Sequence, residues 1–203
     1  MSLIRSFWKQ SLVYGLGIIL VRAVSFMLLP LYTNQFTTEE AGYIYLMFTF
    51  IAFAQVFYNH GMDAAFLKFV AQKDENKNTT INTTLITLFI VSLLFSMAIF
   101  LGSKQLSSLY LGIHRPDWFV LCAAILFFDV NSSRVMTLLR VDDRALYFTY
   151  VSIASVIVTI AANILLVINF KMGILGVMLG TLSGSTLRWL LILPIQIKAF
   201  NIS

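Results

Sequence analysis

Residues 81–102 read INTTLITLFIVSLLFSMAIFLG, and this run decides the fold class. It is 22 residues long and contains no charged side chain. A helix needs about 20 predominantly apolar residues to cross the ~30 Å hydrocarbon core of a bilayer, so the run predicts a membrane span. Composition agrees along the whole chain. Of the 203 residues, 59% are apolar and 11% are charged, with a mean hydropathy of +0.87. Soluble domains carry roughly a quarter charged residues. The balance excludes a water-soluble enzyme, a disordered chain and a nucleic-acid-binding module, and leaves an all-α integral membrane protein whose first partner is the lipid bilayer.

Working outward, five more stretches reach spanning length, so the six expected spans are 11–33, 42–66, 81–102, 118–140, 146–170 and 173–195. They compose one transmembrane unit over 11–203. Ahead of it, residues 1–10 place Leu3, Ile4, Phe7 and Trp8 at helical spacing with Arg5 and Lys9 between them. That pattern fits either a short interfacial helix or a frayed terminus. The first span is too long for a signal-peptide core and has no small-residue cleavage site after it. Between spans, Thr37 and Glu40 form a capping-box pair, and Pro116 suits the first turn of a helix. Tyr43, Tyr45, Tyr110 and Trp118 are expected to anchor span ends at the interface.

Lysine and arginine set the expected orientation. With the N-terminus inside, Arg5, Lys9, Lys68, Lys73, Lys77, Arg140, Arg144 and Lys198 are cytoplasmic, against Lys104, Arg115 and Lys171 outside. The asymmetry predicts both termini in the cytoplasm. It also explains the net charge of +5 without nucleic acid.

Ionisable residues inside spans are costly and mark functional sites. Arg22 is the twelfth residue of the first span, ~16 Å from either end at the helical rise, beyond snorkelling reach. It is the leading candidate to meet an anionic substrate, with pairing inside the bundle as the bland alternative. Asp129 lies near the middle of the fourth span, where it pairs with Arg22 or takes up a proton; both readings are open. Arg134 is ~9 Å from its boundary and within snorkelling distance. Arg188 lies in the inner half of the last span. Gly176, Gly180 and Gly184 recur every four residues on one helical face, a pattern for close helix packing. Asn131 and Asn163 fit interhelical hydrogen bonding.

No metal or cofactor site is expected. Cys122 is the only cysteine, the two histidines stand far apart, and no GxxxxGK[ST] loop is present. Asp142-Asp143 is a conceivable metal pair for an enzyme acting on polyprenyl phosphates. Arg140 and Arg144 flank it, however, which favours a solvated charged loop.

The run Tyr14–Leu46 (YGLGIILVRAVSFMLLPLYTNQFTTEEAGYIYL), the segment Asn59–Val70 (NHGMDAAFLKFV), and LRVDDRALYF followed by MGILGVMLGT resemble bacterial polysaccharide biosynthesis proteins. These are oligosaccharide flippases of the multidrug/oligosaccharidyl-lipid/polysaccharide exporter superfamily. The resemblance implies two lobes of six helices around a cationic cavity, of which this chain matches the N-terminal lobe. It implies movement of undecaprenyl-pyrophosphate-linked oligosaccharide across the bacterial inner membrane for surface polysaccharide such as O-antigen. Arg22 falls where such proteins place a cavity cation, with Asp129, Arg134 and Arg188 as further candidates. A second six-helix lobe, supplied downstream or by a second copy, is the expected protein partner. A non-transporting fragment or assembly subunit is the alternative from another class.

Overall fold

A computed structural model of the chain describes residues 28–59, 66, 77–142 and 144–200, and these are helical apart from short connections. Residues 28–35 form a helical stretch. It leads into α1 (Thr38–Asn59), α2 (Lys77–Leu106), α3 (Pro116–Val141), α4 (Ala145–Ile164) and α5 (Ile174–Phe200). Among the described residues, five helices are long and apolar enough to cross a membrane. The expected interfacial segment 1–10, most of the first span, Arg22 and Asp143 lie outside the described residues.

Local chemistry sets the boundaries. At the start of α1, the Thr37 N–H donates to Glu40 Oε2 at 2.9 Å, and the Glu40 N–H donates back to Thr37 Oγ1 at 3.3 Å. This is a reciprocal capping box, and it starts α1 four residues ahead of the expected Gly42. Pro116 opens α3, where its missing N–H costs nothing. Beyond the expected end at Gly102, α2 runs on and widens into a π-helical turn over Ser107–Leu111. Gly112 then adopts a left-handed φ of 68° and stops the helix, a conformation that glycine adopts freely. Ser107 ties the turn to the next helix, donating to Ile113 O and accepting from the Arg115 N–H, both at 2.6 Å. The helix α4 ends in a second π-helical turn, Leu165–Asn169.

The architecture is a bundle built around α3, the most buried of the five spans. It packs against α1, α2 and α5, while α4 and α5 make the most extensive helix pair. Large apolar side chains such as Phe53, Val56, Leu94, Leu101, Leu146 and Ile157 point outward and are exposed. In water such a surface is a liability; in lipid it is the expected solvent-facing layer. The chain is a multi-pass membrane protein.

Gly176, Gly180 and Gly184 line the α4–α5 contact. A Cβ built on Gly180 would meet Asn163 N at 2.9 Å, and one on Gly184 would meet Ser155 O at 2.9 Å. Both obstacles are backbone atoms, which cannot swing away. Gly184→Val should therefore destabilise the purified protein by ~1–3 kcal/mol, the cost typical of overpacking. Gly42→Ala, with nothing within 4 Å of the new Cβ, should leave thermal stability equal or higher. Detergent-phase thermal unfolding monitored by size-exclusion chromatography checks both; an unchanged Gly184→Val melting curve would refute the tight contact.

Candidate functional site: a cavity with an ion pair at mid-membrane depth

The helices α3 and α5 each carry an ionisable residue at their centres. Asp129 and Arg188 both lie ~18 Å or more from the ends of their helices at 1.5 Å per residue. The structure brings them together: Arg188 Nη1 donates to Asp129 Oδ1 at 3.4 Å, and Arg188 Nη2 reaches Ser155 Oγ on α4 at 3.5 Å. The pair therefore joins three helices. Its side chains remain 25% exposed at Arg188 and 21% at Asp129.

That exposure opens into a cavity of about 480 Å³. Its polar lining comes from Asp129, Thr159, Thr181, Ser185 and Arg188, and its aromatic lining from Tyr32, Tyr45 and Phe48. Because successive spans run antiparallel, Tyr32, Tyr45 and Thr181 all lie toward the end of the bundle that holds the 34–37 connection. The cavity thus extends from the midplane toward that end, with the ion pair at its deep limit.

Polar side chains around the cavity are fixed by hydrogen bonds within and between helices. Tyr32 donates its hydroxyl to Asn163 Oδ1 on α4 at 3.1 Å, and Asn163 Nδ2 donates to Thr159 O at 2.8 Å. Behind α3, Asn131 Nδ2 donates to Ser92 Oγ on α2 at 2.8 Å. Both asparagines act across helices, as their types and depth led us to expect.

Arg134 is not brought to this cavity. It is fully buried, 0% exposed, and its Nη2 approaches Asn59 O at 3.5 Å and Asn59 Oδ1 at 3.4 Å. Its guanidinium stands 5.9 Å from the centre of the Phe66 ring. The expected route to water by snorkelling is replaced by contacts that tie α3 to α1, so Arg134 is a helix clamp. Two expected interfacial anchors also play other parts. Trp118 is 3% exposed, with Tyr43 beside it and the Arg115 guanidinium over its ring at 4.8 Å. Tyr45, 47% exposed, lines the cavity. Sequence reasoning missed Tyr32, Tyr45, Thr159, Thr181 and Ser185 as cavity residues. The i, i+4, i+7 spacing of Thr181, Ser185 and Arg188 along one face of α5 was the available signal.

Among the described residues, no three His, Cys, Asp or Glu side chains come together to hold a metal ion. What the arrangement offers is a polar, charge-bearing recess at a depth where lipid would not tolerate one. A family model described as polysaccharide biosynthesis protein matches residues 7–203. The chain belongs to the polysaccharide biosynthesis protein family. It matches no curated protein and no solved structure. As a member of this family, the chain carries its midplane charges in the part of the sequence that the family model covers.

The two arginines should separate cleanly on mutation. Arg134→Ala should lower the stability of the purified protein by ~2–4 kcal/mol, because a buried side chain and its contacts are removed together. Arg188→Ala should cost less, because the pair keeps 25% and 21% exposure to the cavity and water can reach the Asp129 carboxylate left behind. Chemical or thermal unfolding in detergent measures both, and the reverse order would overturn the clamp and cavity assignments.

Proposed function

We propose that this polysaccharide biosynthesis protein is a transporter that moves lipid-linked oligosaccharide from the cytoplasmic to the outer leaflet of the bacterial inner membrane. The observation that carries the reading is the Asp129–Arg188 pair, set at mid-membrane depth in a cavity of about 480 Å³. A substrate with an isoprenoid tail and a polar head needs its tail in lipid and its head in a polar route through the bilayer. A recess of this size, within the ~300–1,000 Å³ typical of small-molecule sites, provides such a stop for a head group. Membership of the polysaccharide biosynthesis family supports the substrate class.

In this reading both termini are cytoplasmic, following the lysine and arginine asymmetry. The cavity then lies in the outer half of the membrane. Arg22 belongs to the same predicted span as the cavity residues Leu28, Leu29 and Tyr32, and we assign it the contact with the substrate pyrophosphate. A second six-helix lobe would complete the wall of the cavity and keep the charged pair away from lipid, where such groups are costly. The function is transport rather than catalysis. No nucleotide-binding loop occurs in the sequence, so an ion gradient or consumption of substrate outside would drive it.

Complementation of glycan export in a strain lacking its own flippase tests this, using the full-length protein. Arg188→Ala and Arg22→Ala should each abolish export while the protein still reaches the membrane, and Arg22→Lys should retain part of it. Reporter fusions at Lys77 should read cytoplasm and those at Glu39 and Ser108 the outside. Normal export from both alanine variants would refute the cavity as the transport site.

A further inference from the structure

The cavity chemistry discriminates between the two parts of a lipid-linked oligosaccharide, and the discrimination runs against the obvious choice. An arginine in a membrane cavity invites a phosphate. Arg188, however, is already engaged by the Asp129 carboxylate at 3.4 Å. For a phosphate, the carboxylate is a repulsive neighbour that offsets the attraction of the guanidinium. The pair contributes no net charge to the recess. Around it, the lining supplies hydroxyl groups from Thr159, Thr181 and Ser185, and aromatic rings from Tyr45 and Phe48.

That set matches a sugar. Each sugar hydroxyl both donates and accepts, so neighbouring hydroxyls are best met by an acceptor beside a donor. Asp129 and Arg188 present that combination. Among the described residues, the contact from Arg188 is the one bond made to Asp129, which leaves Oδ2 as an acceptor. Arg188 has five N–H donors and uses one for Asp129 and one for Ser155. Asp129 and Arg188 line the same recess as Tyr45 and Phe48, whose rings offer flat apolar surface to the C–H face of a pyranose.

Resting on the transport reading above, we infer that the Asp129–Arg188 cavity binds the neutral sugar portion of the substrate, and that Asp129 is a sugar ligand in its own right and not only the counter-ion of Arg188. Recognition of the pyrophosphate lies elsewhere. The two ideas differ in the sign of one effect. If the cavity gripped phosphate, removing the Asp129 charge would release Arg188 and strengthen binding. If it grips sugar, removing that charge deletes an acceptor and weakens binding.

The experiment uses the full-length protein in lipid nanodiscs with two soluble probes. One is the free repeat-unit oligosaccharide of the host polysaccharide, followed by saturation-transfer difference NMR of its ring protons. The other is farnesyl pyrophosphate, a sugarless isoprenoid pyrophosphate, followed by ³¹P line broadening. Saturation transfer to the oligosaccharide should be clear in the wild type. It should become about tenfold weaker in both Asp129→Asn and Arg188→Gln, as expected when one hydrogen bond to a charged group is lost. Farnesyl pyrophosphate broadening should be unchanged by either substitution. Melting temperatures near the wild-type value establish that the variants are folded, and Tyr45→Leu gives a second route to the same weakening without touching a charge. Undiminished oligosaccharide binding in Asp129→Asn would overturn the inference, as would no saturation transfer to the wild type. So would stronger pyrophosphate broadening in that variant. Sugar binding by a protein that fails to support export would sink the transport reading and leave the sugar site standing. Export with no role for Asp129 would do the reverse.

Discussion

A charged pair at the middle of a bilayer needs polar company, because hydrocarbon offers neither hydrogen bonds nor screening. Estimates of the cost of a lone guanidinium there run from about 2.5 to more than 10 kcal/mol. Asp129 and Arg188 meet that constraint through one another and through Ser155, at 3.4 and 3.5 Å. The rest of the bundle is arranged around it. The helix that carries Asp129 is α3, the most buried span, so its polar residues Asn131, Ser132, Arg134 and Thr137 face protein rather than lipid. The helices with the greasiest surfaces, such as α2, stand at the outside.

Close approach of α4 and α5 is the second requirement. Arg188 reaches Ser155 because the small face of Gly176, Gly180 and Gly184 lets the two backbones come together. Without Cβ atoms at these positions, Asn163 and Thr159 sit directly against α5, and Asn163 can accept from Tyr32. The glycines therefore act on the cavity indirectly, by bringing α4 close enough to supply part of its wall. Arg134 belongs to a different task, holding α3 to Asn59 of α1 outside the cavity lining.

Much of this fold was legible in the sequence, because span length, capping and small-residue spacing are local properties. The Thr37–Glu40 box and Pro116 marked helix starts, and the apolar runs marked the spans. The α2 continuation to Leu111 was hidden, since Ser103, Lys104 and Gln105 read as a polar connection although the backbone stays helical. The site was only partly legible. Depth singled out Asp129, while Arg188, in the inner half of its expected span, read as either a snorkelling or a cavity residue; their pairing joins residues 59 positions apart, and no periodicity reports which helices touch. For the same reason Tyr45 and Trp118 read as interfacial anchors: their aromatic character and position near span ends are the same whether they face headgroups or neighbouring helices.

One face of α5 borders a polar cavity while another borders lipid. Single cysteines along α5 in a Cys122→Ala background, labelled in intact membranes with a small water-soluble maleimide, measure this directly. Rapid labelling is expected at Thr181 and Arg188, which line the cavity, and little or none at the exposed apolar position Leu190. Labelling that skips the first two positions, or that is equal at all three, would contradict this arrangement.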